Sequence, residues 1–302
     1  MDPPCFDSSQ TLLPALPSAR MEPVFTTFVS GELTIAADRF GAPDDPAVVF
    51  LHGGGQTRHS WGRAAATVAE AGWCAYTVDL RGHGESSWAP DGAYGLDDYA
   101  ADLLAVIDHI GCEPVVVGAS LGGLTAMRTM GAVRIGAGRG LVLVDIVPAM
   151  EKVGTDRIGD FLREHVDTGF ASLEEAAAAV AAYAPRADRS IDPEGLRKNL
   201  RQRNGRWYWH WDPAFLMPQR GTDPADIFDP DMLTECMRRI TVPRLLVRGR
   251  MSDVVSEEGA RRFLRDVPDV GYVDVADAAH MVAGDRNDAF RSAVLGFLAE
   301  LR

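Results

Sequence analysis

Cysteine is scarce in this chain of 302 residues. Its four cysteines (Cys5, Cys74, Cys112 and Cys236) are scattered, with no C-x-x-C pair and no histidine-rich partner spacing. That distribution excludes a disulfide framework and a zinc site built on paired thiolates. It fits free thiols in a reducing compartment, so a cytoplasmic location is expected. Neither a metal nor a cofactor is expected. Positive charge is also in short supply. A formal net charge of −13 repels phosphate and argues against nucleic-acid binding, whereas neutral or cationic small molecules suit it better. No run of about 18 apolar residues occurs, so no membrane span is expected. The first twenty residues lack a basic leader and a long apolar core, which argues against a signal peptide. Their four prolines, with interspersed serines, read as a loose tail over residues 1–22. Order is expected to begin near Met21, which stands as a candidate natural start.

What the chain does have is apolar sequence in short blocks. At 46% hydrophobic content it can bury a large core as one domain carrying an insertion. Ala47-Val48-Val49-Phe50-Leu51 reads as a strand covered on both faces, Val115-Val116-Val117 as a short buried strand, and residues 74–78, 141–144, 242–247 and 272–275 as further strands. Between them lie helical spacings: Tyr99, Leu103, Val106 and Ile110 share one face of a helix over 96–110 that Gly111 stops. Phe290, Val294, Phe297 and Leu301 mark the last helix. This alternation implies βαβ crossovers and a mostly parallel sheet flanked by helices. Residues 24–30 and 32–37 alternate weakly around Gly31, which predicts an antiparallel hairpin. The rhythm breaks between Pro148 and about Cys236, where the sequence is helical, alanine-rich and aromatic without a convincing strand. The expected organisation is an α/β core over 23–148 and 239–302, with a helical cap, or lid, over 149–238.

Chemistry enters at Val115-Val116-Val117-Gly118-Ala119-Ser120-Leu121-Gly122-Gly123, a strand running directly into a helix. A turn this sharp puts Ser120 into strained backbone angles and leaves no room for side chains at Gly118 and Gly122. The hydroxyl is held above the sheet edge, at a helix N-terminus that favours negative charge. The competing reading is a serine that merely caps the helix. A serine hydroxyl needs a base and an acid to orient that base. His280 lies just past the last strand and Asp253 just past the one before it, and ligands of α/β sheets bind at such carboxyl ends. The chain order Ser120, Asp253, His280 fits this arrangement. Asp145 also ends a strand and is the rival acid, with Asp253 favoured on order.

Over residues 24 to the end the chain resembles the α/β-hydrolase superfamily. The Asp79-Leu80-Arg81-Gly82-His83-Gly84-Glu85-Ser86 turn and the segment from His52-Gly53 to Trp61 are similar to one branch of it. That branch includes cofactor-free haloperoxidases, epoxide hydrolases and small-molecule esterases. The resemblance implies an oxyanion hole made by the backbone amides of Gly54 and Leu121. His83, in a glycine turn, is read as bracing its loop rather than transferring protons, and His52 as fixing the oxyanion loop by hydrogen bonds. Epoxide hydrolases and haloalkane dehalogenases of this branch use an aspartate nucleophile. Serine at position 120 departs from that and points to acyl transfer.

The expected function is therefore hydrolysis of a carboxylic ester or lactone of a small, largely apolar molecule through an acyl-enzyme on Ser120. Three alternatives stand beside it: perhydrolase or haloperoxidase chemistry on the same residues, C–C bond hydrolysis, and a non-catalytic ligand receptor on the same fold. Trp61, Trp207, Trp209, Trp211 and Met281 are candidate pocket residues, against the simpler reading of aromatics as packing. Monomer and homo-oligomer are equally compatible with the sequence.

Overall fold

A computed structural model describes residues 22–183, 192–217, 228–276, 278–280 and 288–302. The expected tail over residues 1–21 lies outside them. Strands β1 (Val24–Ser30) and β2 (Leu33–Phe40) form the antiparallel hairpin, turning at Gly31. There follow β3 (Ala47–Leu51), α1 (Gly62–Glu70), β4 (Cys74–Val78) and α2 (Leu96–Ile110). Then come β5 (Val115–Ala119), α3 (Leu121–Arg128) and β6 (Gly140–Val144). The strands assemble in the order β1-β2-β4-β3-β5-β6 and continue into β9 (Arg244–Gly249) and β10 (Val270–Val275). Only β1–β2 and β2–β4 pair antiparallel; the remaining neighbours are parallel.

Packing explains why these blocks became strands. Every residue of β3, β4, β5 and β6 is buried. Along β5, Val115 and Val117 face a layer made by α1 and by α9 (Asp288–Glu300), through Val68, Phe290 and Val294. Val116 faces the opposite layer of α2, α3 and α8 (Glu257–Asp266), through Leu103, Val106, Met127 and Phe263. Burying such a side chain contributes about 1.5–3 kcal/mol, which is why doubly covered strands are built of β-branched residues.

The chain between β6 and β9 holds α4 (Lys152–Glu164), α5 (Leu173–Tyr183), α6 (Pro193–Leu196), β7 (Leu200–Arg203), β8 (Arg206–Trp209) and α7 (Pro230–Arg239). It has a small core of its own, with Leu162, Phe170, Leu173, Ala176, Leu200 and Trp209. Contrary to the all-helical expectation, it contains an antiparallel hairpin. Strands β7 and β8 pair around Asn204 (φ 51°) and Gly205 (φ 76°), and the aromatic run Trp207-Tyr208-Trp209 is a strand. Helix α7, placed by the sequence in the inserted region, packs Leu233 and Met237 with Met127 and Met130 of the main core.

Register places the site. Leu51 pairs with Gly118, Ala119 with Val144, Val144 with Val247 and Gly249 with Val275. The residues that follow β3, β5, β6, β9 and β10 therefore emerge along one edge of the sheet.

Candidate active site

Two non-glycine residues on that edge hold left-handed backbone angles: Ser120 with φ 46° and Asp145 with φ 50°. Such strain costs on the order of 1–3 kcal/mol and persists where packing overdetermines it. At Ser120 the determinants are Gly118, where a Cβ would lie 2.5 Å from the Gly122 carbonyl oxygen, and Gly122, where one would lie 2.5 Å from the Leu51 carbonyl oxygen. Ser120 makes no side-chain hydrogen bond to the start of α3, so its hydroxyl is not spent as a helix cap.

The carboxylate of Asp145 is fully buried and accepts three hydrogen bonds. Its Oδ1 takes the Gly249 amide at 2.9 Å, and its Oδ2 takes the Ser252 hydroxyl at 2.5 Å and His280 Nδ1 at 2.8 Å. A carboxylate on Nδ1 keeps the proton there and leaves Nε2 as the nitrogen with the lone pair.

Here the structure departs from the sequence reading. Asp253 does not face His280; its carboxylate pairs with Arg157 of α4 at 2.9 Å. The Ser252 hydroxyl accepts the amides of Val254 and Val255, closing a tight turn around Asp253, while its own proton goes to Asp145. Asp145, not Asp253, is therefore the carboxylate bonded to His280.

After β3 the chain lies against Ser120, since a Cβ on Gly53 would sit 3.3 Å from the serine Cβ. The Gly53 amide donates to Gln56 Oε1 and the Gly55 amide to His83 Nε2, each at 3.1 Å. The Gly122 amide donates to the His52 carbonyl. Among the described residues, the amides of Gly54 and Leu121 have no hydrogen-bond partner.

His52 and His83 are both fully enclosed. His52 donates from Nδ1 to the Gly53 carbonyl at 2.8 Å and accepts the Leu80 amide on Nε2 at 3.0 Å. His83 donates from Nδ1 to the Arg81 carbonyl at 3.0 Å. Burial pushes His52 down to about 4 and His83 down to about 3, so both rings are neutral at physiological pH. Each therefore acts as a brace between two loops.

The model of the alpha/beta hydrolase family matches residues 48–293. The chain belongs to this family. It is an enzyme of the serine-hydrolase type. It is 31% identical over 272 residues to the esterase Rv0045c of Mycobacterium tuberculosis, covering 87% of this chain and 86% of that protein. The solved structure of that esterase superposes with a TM-score of 0.71 over 92% of both chains. A 3-hydroxybutyrate-oligomer hydrolase of Cupriavidus necator is 30% identical over 82% of this chain and 86% of its own length. The non-heme chloroperoxidase CPO-A1 of Kitasatospora aureofaciens is 26% identical over 83% and 91%.

Against the edge of this alpha/beta hydrolase, the aromatic candidates separate. Trp61 is a core residue, its ring centroid 5.3 Å from that of Phe50 and 5.7 Å from that of Phe290, so it does not line a pocket. Trp209 packs on Phe161 and Phe170, and Trp207 lies under the Arg197 guanidinium; both serve the inserted segment's own packing. Trp211 does reach the site, its indole nitrogen 3.7 Å from where a Cβ on Gly55 would be. Met281 lies outside the described residues. Sequence reasoning missed two residues here. Leu162 packs against Gly55, and the Phe215 ring lies 3.7 Å from where a Cβ on Gly54 would be. A phenylalanine in a short helical turn of the insertion gave no signal of its own. Among the described residues no cluster of metal-ligating side chains occurs, and no helix is long and apolar enough to cross a membrane.

Proposed function

We propose that the protein hydrolyses a carboxylic ester or lactone of a small, largely apolar molecule, with Ser120 as nucleophile, His280 as base and Asp145 as the acid that orients it. The observation that carries this reading is the 2.8 Å bond between Asp145 and His280 Nδ1, on the same sheet edge as a strained serine that caps nothing. His280 Nε2 takes the Ser120 proton as Oγ attacks the carbonyl carbon. The resulting oxyanion is held by the amides of Gly54 and Leu121. Collapse of that intermediate expels the alkoxide, to which His280 returns the proton, and leaves an acyl-enzyme. Water, deprotonated by the same imidazole, then attacks the acyl carbon and releases the acid and Ser120. One oxyanion donor is worth roughly 3–4 kcal/mol of transition-state stabilisation. The inserted segment is read as a cap whose Phe215, Leu162 and Trp211 close over the oxyanion loop, which fits a compact apolar substrate. Names among the relatives support ester chemistry: an esterase and an oligomer hydrolase.

The test is labelling with a fluorophosphonate followed by mass spectrometry, with Ser120→Ala alongside, and turnover of short-chain chromogenic esters. An adduct on Ser120 and ester turnover that both vanish in the variant support the reading; well-folded protein that neither labels nor turns over any ester rejects it. The likeness to a non-heme chloroperoxidase favours one second reading, in which hydrogen peroxide replaces water in deacylation and gives a peracid. Peroxide-dependent bromination in acetate buffer that is lost in Ser120→Ala distinguishes it.

A further inference from the structure

We propose that His83 is a positioning residue that transmits the seating of the inserted segment to the oxyanion loop, setting the aim of the Gly54 amide. The inference rests on the hydrolase reading above and adds a residue to it. His83 stands where three pieces of chain meet. Its backbone pairs antiparallel with Trp211, and on either side the Gly84 amide donates to the His210 carbonyl and the Asp212 amide to the Gly82 carbonyl, both at 2.7 Å. Its ring lies 4.9 Å from that of Phe215, centroid to centroid, and Phe215 is the residue over Gly54. Its Nε2 accepts the amide of Gly55, the next residue along. Tyr94 adds to the clasp by donating its hydroxyl to Asp212 at 2.6 Å.

The ring is held at both nitrogens, with Nδ1–H on the Arg81 carbonyl, so the Gly55 amide has a fixed acceptor rather than a swinging one. Gly55 sits at φ 77°, a conformation available to a glycine and easily lost without a tether. Rotating that peptide swings the neighbouring Gly54 amide, and a misplacement of about 1 Å in a catalytic group is worth on the order of 100-fold in rate. Substrate is held mainly by apolar contacts, whereas the Gly54 amide meets the oxyanion only as charge develops. Loss of the His83 tether should therefore fall on kcat and spare KM.

The experiment compares His83→Gln, whose Oε1 can still accept the Gly55 amide, with His83→Met, of similar length and no acceptor. Active sites are counted with the fluorophosphonate, and kcat per labelled site and KM are measured on p-nitrophenyl butyrate. In folded, labelled His83→Met, kcat per site is expected to fall roughly 10- to 100-fold with KM little changed, and His83→Gln to recover most of that loss. Affinity for an alkyl boronate, which mimics the tetrahedral oxyanion, should fall in parallel with kcat. A second arm avoids the buried turn. Phe215→Ala removes the ring that rests on His83, and should lower kcat per site by itself but add little to His83→Met. Unchanged kcat per site in His83→Met, no rescue by glutamine, or strictly additive losses with Phe215→Ala would overturn the proposal. Should His83→Met not fold, the Phe215→Ala and His83→Gln pair carries the same additivity criterion. A wild-type protein that never labels removes the hydrolase reading itself, and this proposal falls with it.

Discussion

At Asp145 three donors converge on one buried carboxylate, and only one of them, His280, enters the proposed chemistry. The Gly249 amide and the Ser252 hydroxyl hold the carboxylate independently of the imidazole. In the proposed reaction, a carboxylate so held stabilises the imidazolium formed when His280 takes the Ser120 proton. Asp145→Asn is accordingly expected to lower kcat/KM roughly 10³- to 10⁴-fold, because an amide favours the wrong imidazole tautomer. Asp253→Asn loses only a partly exposed pair with Arg157, so the change should stay within about threefold. Steady-state kinetics on one ester decides between the two acids, and the reverse order of effects would restore Asp253. Ser252→Ala removes a hydrogen bond to a charged group. On the usual worth of such a bond it should lower kcat/KM about tenfold, with KM nearly unchanged.

The same contrast runs through the elements. Gly205, at φ 76° in the two-residue turn between β7 and β8, carries a conformation that costs a side chain about 1–2 kcal/mol. Gly205→Ala should loosen that hairpin locally. Hydrogen exchange of the amides in β7 and β8 is expected to rise about 5- to 30-fold, while the urea midpoint of the sheet core stays within error. Equal loss in both would mean that the hairpin and the main core unfold as one unit. The hairpin was missed in the sequence because half of Leu200-Arg201-Gln202-Arg203 is charged and Trp207-Tyr208-Trp209 reads as aromatic packing. The Asn204-Gly205 pair was the available signal, the favoured sequence of a tight two-residue turn. Strands β3 to β6 were legible for the opposite reason, since burial on both faces demands unbroken apolar runs. The choice between Asp145 and Asp253 was not legible. Both follow strands on the correct edge, and what separates them is tertiary: a serine hydroxyl on one and an arginine on the other. Phe215 and Leu162 were invisible likewise, because their importance comes from packing against Gly54 and Gly55 across the fold.

For the molecule as a whole, the two neutral histidines tie the brace of the loop after β3 to global stability. Unfolded, each titrates near 6.5, whereas burial holds folded His52 at about 4 and folded His83 at about 3. Above pH 6.5 both are neutral in either state and their contribution is fully present. As pH falls below that, the unfolded chain takes up protons that the folded chain refuses, so stability declines. The decline approaches about 1.4 kcal/mol per pH unit for each ring. It stops growing for His52 below about pH 4 and for His83 below about pH 3. Carboxylates such as Glu85, held below its ordinary range by the Arg58 guanidinium, also lose stability in acid, but at lower pH than the histidines begin to act. Urea unfolding at pH 7, 6 and 5 should therefore show a midpoint that drops steadily across a range where carboxylates change little. In His83→Gln, which cannot titrate, the slope over that range should fall by one ring's share, the remainder belonging to His52 together with His59 and His210, which burial also lowers. An unchanged slope would mean that the His83 ring can be protonated without leaving its site between Arg81 and Gly55.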